Sequence, residues 1–96
     1  MNQYRLARLA DTDLDDIWHH IAKDNPSAAD RLMAKLFETF QLLATHAELG
    51  EPRPEFRCGE FRCFSVGNYV IFFRSVEGTV EIARVVHGAR DIGSLA

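Results

Sequence analysis

The dipeptide Asn25-Pro26 restricts this chain more than any other feature. Asparagine offers a side-chain oxygen to cap a helix, and proline is tolerated at the first helical position, where its missing N–H has no partner to lose. A helix therefore starts at once. Ala29, Leu32, Met33, Leu36, Phe40 and Leu43 then recur at intervals of three and four, an apolar stripe that ends before Leu49-Gly50. The stretch preceding the dipeptide has the same period. Ala10, Leu14, Ile17, Trp18 and Ile21 share one helical face, while Asp11, Asp13, Asp15, Asp16, His19 and His20 lie mostly elsewhere. This spacing predicts a helix over residues 10–24, with Asp11, Thr12 and Asp13 supplying cap oxygens and negative charge at its start. Two helices with so short a joint must fold back into a hairpin, whose apolar side needs a cover.

Strand patterns flank the hairpin. Gln3 to Arg8 alternates, Tyr4 and Leu6 on one side and Arg5 on the other, as in a short half-buried strand. Gly50-Glu51-Pro52-Arg53-Pro54 cannot continue a helix and reads as a loop. Beyond it, Phe61–Val66 and Tyr69–Arg74 bracket Gly67-Asn68 as a β-hairpin, Glu77-Gly78 marks a second turn, and Thr79–Val86 forms a last strand before a tail at Gly88-Ala89-Arg90-Asp91. The order is β-αα-βββ. It is an α+β architecture with the helical hairpin packed on one face of a small, mainly antiparallel sheet. Ninety-six residues bound this to a single domain, 1–96, around one core.

One strand exceeds what a hairpin can cover. Tyr69, Ile71 and Phe73 point one way, but Val70 and Phe72 are apolar on the other face. The expectation is that a partner covers that face; the alternative is that residues 51–60, with Phe56, fold over it.

The candidate chemistry is sparse. A formal charge of −3 argues against generic nucleic-acid binding. Residues 51–96 nevertheless carry six basic side chains, all arginine, suited to bidentate contacts with carboxylates or phosphates. Asp15, Asp16, His19 and His20 have i,i+4 spacing on the first helix, but no second cluster closes a metal site. Cys58 and Cys63 are not spaced as a zinc knuckle and read as apolar fillers. No nucleophile elbow or phosphate-binding glycine loop is present. Arg62, Arg84, His87 and Arg90 approach the minimum for metal-free RNA cleavage. The set lacks a lysine, since none follows Lys35, and Tyr69 sits on a strand face that reads as core. The sequence thus points to no catalytic residue, metal or cofactor. No apolar run approaches the ~20 residues of a membrane span and no signal segment follows Met1-Asn2-Gln3-Tyr4-Arg5, so the expected location is the cytoplasm, with both cysteines as thiols.

The runs Tyr4-Arg5-Leu6, Ala10-Asp11-Thr12-Asp13-Leu14-Asp15-Asp16-Ile17-Trp18 and Asp24-Asn25-Pro26-Ser27-Ala28-Ala29-Asp30 together resemble the ParE toxins of bacterial toxin–antitoxin modules, within the RelE/ParE superfamily. Leu49–Pro54, Val66–Arg74 and Val80–Asp91 look like that family's loop, central strand and terminal strand, so the resemblance spans nearly the whole chain. It implies the same β-αα-βββ fold, with the first strand beside the last. It also implies a ParD-type ribbon-helix-helix antitoxin whose flexible segment wraps the toxin, which would account for the two-sided strand. The expected antitoxin contacts are Phe61, Phe64, Val70, Phe72 and Arg74.

The superfamily holds two activities. Its ribosome-dependent mRNA nucleases use lysines and arginines on the sheet plus a tyrosine in the tail. Aligned on the Gly67-Asn68-Tyr69 turn and the His87-Gly88 corner, those positions here hold Phe61, Cys63, Val70, Gly88 and Ser94. None neutralises a phosphate or moves a proton. The ParE branch instead resembles inhibitors of DNA gyrase that bind and stabilise a cleaved gyrase–DNA state. The reading is a plasmid-stabilising toxin of this branch, with His87, Arg90 and Asp91 as expected target contacts and no sequence-specific nucleic-acid binding of its own. A RelE-type mRNA endonuclease and an inactive antitoxin-binding relic are the alternatives.

Overall fold

A computed structural model describes residues 3–53 and 61–88. Strand β1 (Tyr4–Leu6) leads into helix α1 (Arg8–Ala22), helix α2 (Pro26–Thr45) and a turn of 3-10 helix (Ala47–Leu49). Strands β2 (Glu51–Pro52), β3 (Arg62–Val66), β4 (Tyr69–Val76) and β5 (Thr79–His87) follow. The sheet runs β1-β5-β4-β3-β2, with β1 parallel to β5 and every other pair antiparallel. The α+β reading and the place of the first strand beside the last both hold.

The joint between the helices behaves as its residue types require. The Asn25 side chain accepts the Ala28 N–H at 3.1 Å, and Pro26 is the first residue of α2. Asn25 is exposed, so Asn25→Ala removes a cap and little else. It is expected to cost about 1 kcal/mol, read as a fall in melting temperature of roughly 4–8 °C; no fall would mean that the cap is idle.

The start of α1 differs from expectation. The helix begins at Arg8, its N-cap is Ala7, and no side chain caps it. The Ala7 N–H is committed to Ile82 O at 3.0 Å, so the chain turns into helix directly from the β1 ladder. Asp11, Thr12 and Asp13 therefore lie inside the helix: Thr12 Oγ1 donates to Arg8 O at 3.1 Å, and Asp13 is drawn across to β5. Glu51-Pro52, expected as loop, pairs with Cys63 and Arg62 as a two-residue edge strand, the place in a sheet that tolerates proline. Strand β4 runs two residues past Arg74. The turn at Glu77 and Gly78, with φ of 52° and 80°, places Val76 directly opposite Thr79.

The main core lies between the hairpin and the sheet. Leu14, Leu36, Phe40 and Leu43 meet Ile71, Phe73, Val80, Ile82 and Val85, with Tyr4, Phe64 and Tyr69 partly buried against them. On the opposite face Cys63, Val70, Phe72 and Val86 form a second buried cluster, with Phe61 packed on it. Period-two alternation thus divides β4 as expected, but its second face is not bare: Val70 is 9% and Phe72 3% exposed. Phe56 lies outside the described residues.

Candidate functional site

Strand β5 carries a bulge. Phe72 pairs with Arg84 and Phe73 with Ile82, so Ala83 is an extra residue, and the backbone groups on either side of it change direction. Before the bulge, the Ile82 carbonyl faces β1. After it, the Val85 N–H faces the same way, but β1 has already ended at Leu6. Asp13 takes up that donor: its Oδ2 accepts the Val85 N–H at 3.0 Å. The carboxylate also holds Arg84 in a fork, Nε to Oδ2 at 2.7 Å and Nη2 to Oδ1 at 2.9 Å. With the Asp13 side chain 12% and that of Arg84 31% exposed, this ion pair is largely out of solvent.

The clamp forms one side of a cleft of about 530 Å³ between α1 and the end of β5. Asp13, Asp16, Ile17, His20 and Ile21 line it from the helix, Asn68 and Tyr69 from the β3–β4 turn, and Arg84, Val85, Val86 and His87 from β5. The Tyr69 and His87 rings meet edge to face with their centroids 5.6 Å apart. His87 Nδ1 is buried without a hydrogen-bond partner. An arginine, a histidine and a tyrosine therefore do converge, which sequence reasoning did not foresee for Tyr69. The cation among them is already neutralised by Asp13.

Four other arginines make structural contacts. Arg62 donates from Nη1 to Gly50 O at 2.9 Å, tying β3 to the end of the helical hairpin. On the second face, Glu81 stands between Arg5 Nε at 3.2 Å and Arg74 Nε at 3.0 Å, and the Arg74 guanidinium lies 5.5 Å from the Phe61 ring centroid. Arg53 Nε lies 3.1 Å from Cys63 Sγ. The expected antitoxin contacts do not share one surface. Phe61, Val70, Phe72 and Arg74 belong to the second face, whereas Phe64 pairs with Ile71 and packs under the hairpin. Of the expected target contacts His87 lines the cleft; Arg90 and Asp91, with Cys58 and Ser94, lie outside the described residues. His19 Nδ1 is 2.8 Å from the Asp15 carbonyl, and among the described residues no three metal-ligating side chains gather. Among them, too, no helix is long and apolar enough to cross a membrane.

Comparison with known proteins adds the following. A family model described as ParE toxin of type II toxin–antitoxin system, parDE, matches residues 4–92. Toxin ParE1 of Caulobacter vibrioides is 42% identical over 89 residues, covering 91% of this chain and 90% of that protein. Toxin ParE1 of Mycobacterium tuberculosis is 27% identical over 93 residues, covering 95% and 94%. Among solved structures, the chromosomal ParDE toxin–antitoxin system of P. aeruginosa superposes with a TM-score of 0.74 at 23% identity, covering 91% of this chain and 96% of that one. The RelBE2 toxin–antitoxin complex of Mycobacterium tuberculosis gives 0.64 at 22%, covering 90% of each.

Proposed function

The chain belongs to the ParE toxin family of type II toxin–antitoxin systems, and from that premise we propose that it inhibits DNA gyrase by stoichiometric binding in the cytoplasm and is neutralised by a ParD-type ribbon-helix-helix antitoxin. The observation that carries the non-enzymatic part is the second face. Phe61, Cys63 and Val70 occupy positions where the superfamily's nucleases hold cations, and here they join Phe72 and Val86 in one apolar cluster. Those side chains neither neutralise phosphate charge nor transfer a proton, and the arginines beside them are engaged, Arg53 with Cys63 Sγ and Arg74 with Glu81. A toxin built this way works by differential affinity, holding gyrase in its DNA-cleaved state and shifting the population of the cycle. His87, Arg90 and Asp91 are the proposed target contacts. The antitoxin is proposed to engage Phe61, Val70, Phe72 and Arg74 on the second face and Phe64 at the hairpin side. Since Val70 and Phe72 are already buried, it gains more from remodelling that face than from covering a bare one.

The test uses the purified chain. Gyrase supercoiling should fall as toxin approaches equimolar with enzyme and recover on adding the cognate antitoxin, while mRNA on translating ribosomes stays intact. A second reading has its own observation, the convergence of Tyr69, Arg84 and His87 on one cleft. Codon-periodic mRNA cuts that vanish in His87→Gln would establish it and overturn the first. Failure to arrest growth when the chain is expressed alone would favour an inert antitoxin-binding relic.

A further inference from the structure

We propose that the outer edge of β5 at Val85–His87 is a docking slot for an extended segment of a partner protein that carries a basic side chain. Strand β1 pairs with Val80, Glu81 and Ile82 and stops, while β5 continues to His87. Because Val85 gives its N–H to Asp13, the Ile71–Val85 and Tyr69–His87 pairs are the non-hydrogen-bonded positions of the β4–β5 ladder; Gly88, donating to Asn68 O at 2.9 Å, keeps that alternation. The Val85 carbonyl and the His87 N–H therefore face away from β4, with no strand beside them among the described residues.

An acceptor and a donor two residues apart on a strand edge are complementary to the backbone of another strand. Asp13 prevents the register in which the incoming chain would also take the Val85 N–H, so the slot accepts one register rather than several. The cleft of about 530 Å³ above this edge has room for the few residues, at ~3.3 Å each, that such pairing needs.

The wall facing the edge sets the charge. Asp13 is answered by Arg84, which leaves Asp16 on α1, one turn from His20, as the cleft's carboxylate with no ion-pair partner among the described residues. A side chain projecting from the docked strand toward α1 meets a carboxylate, so lysine or arginine fits there. A phosphate backbone is disfavoured by the same group.

The experiment needs neither antitoxin nor gyrase, so its outcome is independent of the toxin reading. Isotope-labelled chain is titrated with the peptide acetyl-Thr-Val-Arg-Val-Thr-amide while amide resonances are followed. Shifts are expected to concentrate at Val85–His87 and around Asp16, with binding weakened roughly three- to fivefold in Asp16→Lys. The same peptide N-methylated at its central residues should bind without those shifts or not at all. Absence of shifts at millimolar peptide, equal shifts from the N-methylated form, or shifts produced instead by a single-stranded oligonucleotide would each overturn the proposal. Asp16 is exposed on the helix, so its substitution leaves the fold intact as a control.

Discussion

Asp13→Ala is expected to destabilise the domain by about 3 kcal/mol and to lower its melting temperature by roughly 10–20 °C. The carboxylate accepts from Arg84 twice and from the Val85 N–H once. Truncation takes both Asp13 bonds from a guanidinium whose side chain is only 31% exposed and leaves the Val85 N–H without its acceptor. Water entering the cleft recovers part of that loss, which is why the figure stays below the sum of three charge-assisted bonds. Asp13→Asn keeps an acceptor for Val85 but not the charge, and should lose about half as much. Arg84→Ala in the Asp13→Ala background should cost less than Arg84→Ala in the parent, because the two bonds to Asp13 are already lost there and no buried carboxylate is left behind. Thermal melts of the parent and the four variants decide it. A shift under about 3 °C for Asp13→Ala would mean that the clamp contributes nothing to stability.

The clamp also marks where sequence reading stops. Helix period and strand alternation are local signals, and they place the hairpin, the sense of each face of β4 and the two turns. Asp13 looked at locally is one more acid in the first turns of a helix, where the dipole favours it. Its partners lie 71 and 72 residues away, across a bulge that no propensity announces. That bulge decides which β5 groups face the cleft, so the site was hidden although its histidines and its arginine were visible. Phe64 is a different case, because its face was recoverable by parity. Val66 stands opposite Tyr69 across the Gly67-Asn68 turn, so counting back two residues puts Phe64 opposite Ile71 and on the hairpin side. The second-face cluster was legible as an apolar surplus on β4. Its burial was not, because alternation reports which way a side chain points and not what packs over it.

Gly50→Ala should be at least as damaging, for a reason that backbone freedom does not supply. Gly50 has φ −76° and ψ 144°, an extended conformation open to any residue. A Cβ there would enter the ring of Phe73 and stand 3.0 Å from Arg62 Cβ. Phe73 is fully buried in the main core and has nowhere to retreat, and Arg62 is fixed by its bond to the Gly50 carbonyl. One methyl group must therefore displace either the aromatic centre of the sheet or the joint between the helical hairpin and β2. The expected cost is about 3 kcal/mol, seen as a lower denaturation midpoint with an unchanged slope. Shortening the obstructing ring tests the cause. Phe73→Leu is destabilising alone, yet in Gly50→Ala it should cost markedly less, since it frees the volume that the methyl group needs. Gly67→Ala is the contrasting control: φ is +56° and no atom lies near a Cβ, so only backbone strain of about 1 kcal/mol is at stake. Strict additivity of Gly50→Ala with Phe73→Leu would place the glycine's role in the backbone after all, and the ring would then not be what holds the end of the hairpin against the sheet.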